Sequence, residues 1–212
     1  AVQHNTSKRQ LTSDSRFRIL VVGGSLGARA LNESLPAIFA QLSATLNLEI
    51  VHQAGKGKTS AVEQEYNKMM KPDSAKLGSE KHDSKKQCSY VVTDFIDDMP
   101  KQFEHADVVV CRAGASTVSE LAASGNVGVF VPLPHAVDDH QTANANWLVK
   151  QNAGILVPQS DLQKKMYSVL IELLTQPQRI NTMQINAGKQ AILDSSKKML
   201  DLCNQLQKSG NK

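Results

Sequence analysis

The sequence predicts an α/β fold: a parallel sheet with helices on both faces. Two observations predict it. Short apolar runs alternate with helix-spaced segments about six times along the 212 residues. Runs such as DVVVC are apolar throughout, as strands buried on both faces are. With 41% hydrophobic residues, the chain can build one sizeable core, and wholesale disorder is excluded.

Taken in order, the first strand lies within 16–24, where FRILVVGG is stopped by Gly23 and Gly24. A helix over 28–42 follows, with Leu31, Leu35, Ile38, Phe39 and Leu42 at helical spacing. A second strand covers 48–52 and a polar helix 60–70. Residues 71–89 are rich in Lys, Ser, Gly and Asp and read as a surface excursion, partly disordered. Strands over 90–95 and 107–111 come next, with Asp97 or Asp98 placed to cap a short helix between them. A helix over 115–124, a strand over 127–131, a helix over 141–151 and a short strand over 154–157 continue the alternation. Helices over 162–174 and about 180–206 close the chain. Residues 1–15 are polar and read as a disordered or linker start, and residues 16–212 as one domain. The sequence begins without Met and without a signal peptide, and reads as a piece of a longer chain.

Composition narrows the function classes. A net charge of +4 is too mild to point to nucleic acid, though a basic face suits an anionic membrane surface. No apolar run approaches the ~20 residues that span a bilayer. Cys88, Cys111 and Cys203 lie far apart without CxxC spacing, which argues against zinc and against a disulfide framework, and for a reducing compartment. There is no DxD triplet, no metal-spaced cluster and no GxSxG elbow, so neither a metal nor a cofactor is expected.

Parallel sheets place ligands at the carboxyl ends of their strands. Gly23 to Arg29 (GGSLGAR) follows the first strand. Its glycines allow close backbone approach, and the helix start behind them offers free N–H groups and a positive dipole end, suited to phosphate. The dinucleotide pattern GxGxxG is not met, because the third position is Ser25, and the P-loop pattern fails as well. The second strand ends in His52-Gln53 rather than in an acid, and the loop running to Lys56 is a further candidate for the cleft wall.

Arg112 to Glu120 (RAGASTVSE) follows the DVVVC strand. Two readings stand open on this segment alone. Ser116 or Thr117 with Glu120 can form a capping arrangement, or amides and hydroxyls can bind phosphate while the carboxylate accepts from a ribose diol. Pro132 to Ala145 (PLPHAVDDHQTANA) sets a rigid turn before a row of Asp, His, Gln and Asn, whose donors and acceptors match sugar hydroxyls. At Phe95-Ile96 an exposed backbone can read the edge of a flat base.

GGSLGAR, DFIDDM, CRAGASTVSE and VPLPHAVDDHQTANA, in this order and spacing, resemble the MurG family over residues 17 to about 206. The resemblance implies a Rossmann-like domain, one half of a GT-B glycosyltransferase. Its implied activity is inverting transfer of N-acetylglucosamine from UDP-N-acetylglucosamine to lipid I, giving lipid II for peptidoglycan, by a peripheral enzyme on the cytoplasmic face of the inner membrane. This chain would be the donor-binding half, while the general base and the acceptor surface belong to a domain outside it. The implied donor contacts are Ser25 at the diphosphate and the backbone of Ile96 at uracil. Ala115, Ser116, Thr117, Val118, Ser119 and Glu120 would hold phosphate, sugar and ribose. His140 and Gln141, with Asn144 beside them, would meet the sugar hydroxyls. The family's Asn-Pro-Val-Arg turn is missing: Ala1-Val2-Gln3 stands in its place, with Gln3 where arginine is expected. The alternatives are another GT-B enzyme for UDP-sugars, or a non-catalytic nucleotide-binding domain.

Overall fold

The computed structural model describes residues 8–70, 88–134 and 139–192. Six parallel strands form one sheet: β1 (Phe17–Val22), β2 (Leu48–Gln53), β3 (Cys88–Thr93), β4 (Val108–Cys111), β5 (Val127–Phe130) and β6 (Gly154–Leu156). Their spatial order is β3-β2-β1-β4-β5-β6. The chain builds outward from β1 on one side and then returns to build outward from β4 on the other. The order reverses between β1 and β4, where Val22 pairs with Cys111 and Arg112 N donates to Val22 O at 3.2 Å. Loops leaving the two strands there diverge to opposite faces and open a crevice.

The helices are α1 (Arg29–Leu42), α2 (Thr59–Met69), α3 (Met99–His105), α4 (Ala115–Ser124), α5 (His140–Val149), α6 (Leu162–Leu174) and α7 (Pro177–Lys189). Because side chains alternate along a strand, each face of the sheet builds its own core. Phe17, Ile19 and Val21 of β1 join Leu48, Ile50, Val108, Val110, Val127 and Val129 beneath α1, α2 and α6. Leu20 and Val22 join Val109, Cys111 and Phe130 beneath α3, α4 and α5. α7 serves both, with Ile180 and Met183 in the first core and Ala187 in the second.

Three readings of the sequence are corrected. The polar start is not a loose lead-in from residue 8 onward. Leu11 is buried, Lys8 Nζ donates to the carbonyls of Phe103, Glu104 and Ala106, and Arg9 pairs with Asp107. Its charges find partners at the ends of α3 and β4, which a composition reading could not foresee. Cys88 and Ser89 belong to β3 rather than to the excursion, because pairing with Leu48 and Glu49 extends the strand. The last helix starts at Pro177, as proline at a first helical position allows, and ends at Lys189 rather than running on to 206. The remainder of the excursion (71–87), Gln3, the turn 135–138 and the tail 193–212 lie outside the described residues.

Candidate functional site

The expected site residues lie on loops and helix starts at the carboxyl end of the sheet. Gly23 to Ala28 leaves β1, with Gly24 at φ +86° and Gly27 at φ +67°, a backbone that favours glycine. Ser25 and Leu26 form the exposed tip. Gly27 packs against the loop leaving β2, where a Cβ on Gly27 would overlap Ala54 O and one on Gly55 would overlap Gly27 N. Lys56 N donates to Ser25 O at 3.4 Å and Lys58 Nζ to Leu26 O at 2.7 Å, which ties the two loops together. α1 starts behind Ala28 with no side-chain cap.

α4 starts next to it, at the other side of the strand-order reversal. Its N-cap is Gly114, without a side-chain cap. The capping arrangement for Ser116 or Thr117 with Glu120 is therefore not what forms. Ser116 and Thr117 fall inside the first turn, two and three positions past the cap. The N–H groups of Ala115, Ser116 and Thr117 have no acceptor among the described residues. Two uncapped helix starts thus follow the neighbouring strands β1 and β4, one on each face of the sheet, each carrying the partial positive charge of its dipole. Ala115, Ser116 and Ser119 are exposed, and Glu120 is half-buried with its pKa raised by desolvation. Val118 does not fit the expected contact set. Its side chain is in the second core and its N–H donates to Gly114 O at 3.0 Å, because one position in each turn of a packed helix must face the sheet.

The β3–α3 connection presents the third wall. Phe95 is 57% exposed, Ile96 is buried, and the Phe95 carbonyl accepts from the Thr93 hydroxyl at 2.8 Å. Ile96 N and O have no hydrogen-bond partner among the described residues. Asp98 caps α3 by accepting from Lys101 N at 3.1 Å, as one of the two aspartates was expected to do.

α5 supplies His140 and Gln141 at its exposed start, after Asp139 in a left-handed conformation. Gln141 Oε1 accepts from Leu133 N at 2.9 Å, and its amide nitrogen has no partner among the described residues. Asn144 Nδ2 donates to Ala113 O at 3.1 Å, so it holds the loop before α4. The candidates from Ser25 to Gln141 thus share one end of one sheet, on the tips of β1, β3, β4 and β5.

Several supports were not read from the sequence. Arg112 donates to Val131 O at 2.9 Å, to Pro132 O at 3.0 Å and to Gln159 Oε1 at 2.6 Å, clamping the tips of β4 and β5. Asp94 caps α2 from the end of β3, accepting from Gly57 N, Lys58 N, Thr59 N and the Thr59 hydroxyl. Those donors hold its pKa down to about 2. Polar residues after strands were visible signals; their partners, distant in sequence, were not. Among the described residues no cluster of three or more His, Cys, Asp or Glu could hold a metal, and no helix is long and apolar enough to cross a membrane.

Comparison with known proteins bears on this arrangement. The chain is 43% identical over 203 residues to a Pseudoalteromonas translucida protein named UDP-N-acetylglucosamine--N-acetylmuramyl-(pentapeptide) pyrophosphoryl-undecaprenol N-acetylglucosamine transferase, covering 95% of this chain and 52% of that one. A protein of the same name from Psychromonas ingrahamii is 40% identical over 200 residues, covering 94% and 51%. The chain spans about half the length of the curated relatives it matches. The crystal structure of Acinetobacter baumannii MurG superposes with a TM-score of 0.77 at 37% identity, over 92% of this chain and 51% of that one. The model of the glycosyltransferase family 28 C-terminal domain matches residues 18–199, from β1 past the end of α7. The chain therefore belongs to the glycosyltransferase family 28 C-terminal domain family.

Proposed function

We propose that the chain from Lys8 onward forms the donor-binding domain of an N-acetylglucosaminyltransferase, and that the strand tips hold UDP-N-acetylglucosamine. The observation that carries this reading is that two uncapped helix starts, α1 and α4, follow the two strands at which the strand order reverses. Free amides and dipole ends flanking that reversal suit a diphosphate without a metal. Ser25 and the amides of Ala115 to Thr117 hold the phosphates, with the Thr117 hydroxyl beside them. The carboxylate of Glu120 accepts from both ribose hydroxyls. The backbone of Ile96 pairs with the edge of uracil, as its N–H and C=O, unpartnered among the described residues, allow. His140 and the amide of Gln141 meet the sugar hydroxyls, and Ser119 lines the same wall. The names of the relatives supply the sugar and the acceptor class.

In the transfer itself, a hydroxyl of the lipid-linked acceptor attacks the anomeric carbon from the face opposite the phosphate. The bond from that carbon to the phosphate oxygen breaks, and UDP departs with the electron pair. Negative charge grows on the phosphate during this step. The fixed helix ends of α1 and α4 stabilise that charge without rearranging. The proton lost by the acceptor goes to a base in a second domain, outside this chain. That domain carries the lipid I surface and the peripheral contact with the cytoplasmic membrane face. The chain alone binds the donor and transfers nothing.

Calorimetry tests this. The chain is expected to bind UDP and UDP-N-acetylglucosamine, to prefer the latter in competition with other UDP-sugars, and to ignore NADH. Binding of NADH with none of UDP would overturn the reading. A strong preference for a different UDP-sugar would keep the site and reassign the enzyme. Fusion to an acceptor domain of the MurG family, followed by no transfer to lipid I, would leave a nucleotide-binding domain without catalysis.

A further inference from the structure

Loops bind with precision only when a second layer holds them. β2 ends in His52 and Gln53, which are 0% and 2% exposed. Neighbouring strand residues face opposite sides of a sheet, so this pair reaches under the strand tips from both faces.

On one face, His52 Nε2 lies 3.1 Å from Asn32 Oδ1 and its Nδ1 lies 3.0 Å from the Tyr66 hydroxyl. Asn32 Nδ2 donates to Ala54 O at 2.9 Å. A carbonyl can only accept, and that fixes the direction of every bond in the series. Asn32 turns its nitrogen to Ala54 and its oxygen to His52. His52 therefore carries its proton on Nε2, and Tyr66 donates to the bare Nδ1. Burial keeps the imidazole neutral, with its pKa held down at about 4. The series ends on the carbonyl against which Gly27 packs. It thus runs from α2 through β2 and α1 to the contact between the two loops.

On the other face, Gln53 Nε2 donates to Gly24 O at 3.2 Å, and the same carbonyl accepts from Gly27 N at 2.9 Å. The glycine turn that lifts Ser25 is therefore fastened from below. Gln53 Oε1 is buried and has no partner among the described residues. A buried amide oxygen left unpaired destabilises a fold, and an apolar side chain of the same shape would remove that penalty. Gln53 thus sits where methionine would fill equal space at less cost to stability.

We propose that Gln53 and the Tyr66–His52–Asn32 series are positioning residues, which set the glycine-rich loop at the spacing a nucleoside diphosphate requires. This rests on the reading of the strand tips as a UDP-sugar site.

The test pairs UDP calorimetry with thermal unfolding on the whole chain, at a temperature where every variant is folded. Gln53→Met is expected to unfold at the same temperature as the unsubstituted chain or higher, yet to bind UDP about ten-fold more weakly. Asn32→Leu is expected to weaken UDP by a similar factor while also lowering the unfolding temperature. Leu170→Ala, in the core beneath α6, controls for lost stability and is expected to keep its UDP affinity. A positioning role is overturned if Gln53→Met binds UDP as the unsubstituted chain does. It is overturned equally if Asn32→Leu loses no more affinity than Leu170→Ala. Failure of the unsubstituted chain to bind UDP would remove the donor site itself and this inference with it, a result distinct from either of those.

Discussion

Single residues carry two charge effects with opposite chemistry and the same sign in pH. Asp94 is an acid whose folded pKa is depressed, by the Thr59 hydroxyl first and then by the amides at the start of α2. Its contribution is present above the unfolded value of about 3.9 and fades as pH falls toward 2. Asp94→Ala is expected to lower the unfolding temperature by a few degrees at pH 7, and the gap should close at the acid end of a pH series. His52 is a base whose folded pKa is depressed by burial, to about 4. The unfolded imidazole takes its proton near 6.5, so between those values the unfolded chain binds more protons and stability rises with pH. From pH 7 to pH 5 this residue should remove about 2 kcal/mol of stability. Urea unfolding at both pH values would show that drop in the unsubstituted chain and a flatter profile in His52→Gln. An equal drop in both would clear His52 of the effect.

At the scale of elements, two loops and one helix start decide the site. The loops after β1 and β2 touch backbone to backbone because Gly27 and Gly55 lack side chains and hold positive φ. Gly27→Ala adds both strain and overlap with Ala54 O. It is expected to cost at least about 2 kcal/mol in urea unfolding. α4 separates binding from capping. Glu120 makes no cap in the structure, so Glu120→Ala should leave the unfolding temperature within about a degree of the unsubstituted chain. The same variant should bind UDP about ten-fold more weakly, through the loss of two ribose hydrogen bonds. A fall in stability without a fall in affinity would restore the capping interpretation.

For the whole molecule, the segment before β1 acts as a strap across the base of the sheet. Lys8 gives its ammonium to three carbonyls at the end of α3 and to Asn126 Oδ1 at 2.6 Å. Arg9 Nε donates to Asp107 Oδ1 at 3.0 Å, and Asp107 is almost wholly buried. Asp107 keeps one further bond, from Arg18 N at 2.8 Å, when the arginine is removed. Arg9→Ala is therefore expected to destabilise the fold by about 1–3 kcal/mol, short of the penalty for a fully orphaned charge. Differential scanning calorimetry would measure it. An unchanged transition would mean that residues 8–15 add nothing to the domain.

Local periodicity settled much on its own. ILVV, VVVC and VGVF carry no polar side chain on successive residues, as strands covered on both faces do, and helical spacing between them pointed to a layered parallel sheet. Gly23, Gly24 and Gly27, with small residues after β4, marked the turns where a backbone can meet a phosphate. Both are signals of period or of conformational freedom, which a handful of neighbours can encode. What lay beyond the sequence was pairing between segments far apart along the chain. Nothing local told whether Ser116 caps α4 or lies within an open helix start, that Val118 turns inward, that Asp94 caps a helix it does not belong to, or that Lys8 and Arg9 belong to the domain. Those outcomes depend on which strands lie side by side. Only when β1 and β4 meet do two helix starts share one crevice, because hydrogen-bond partners and converging dipoles are properties of positions in space.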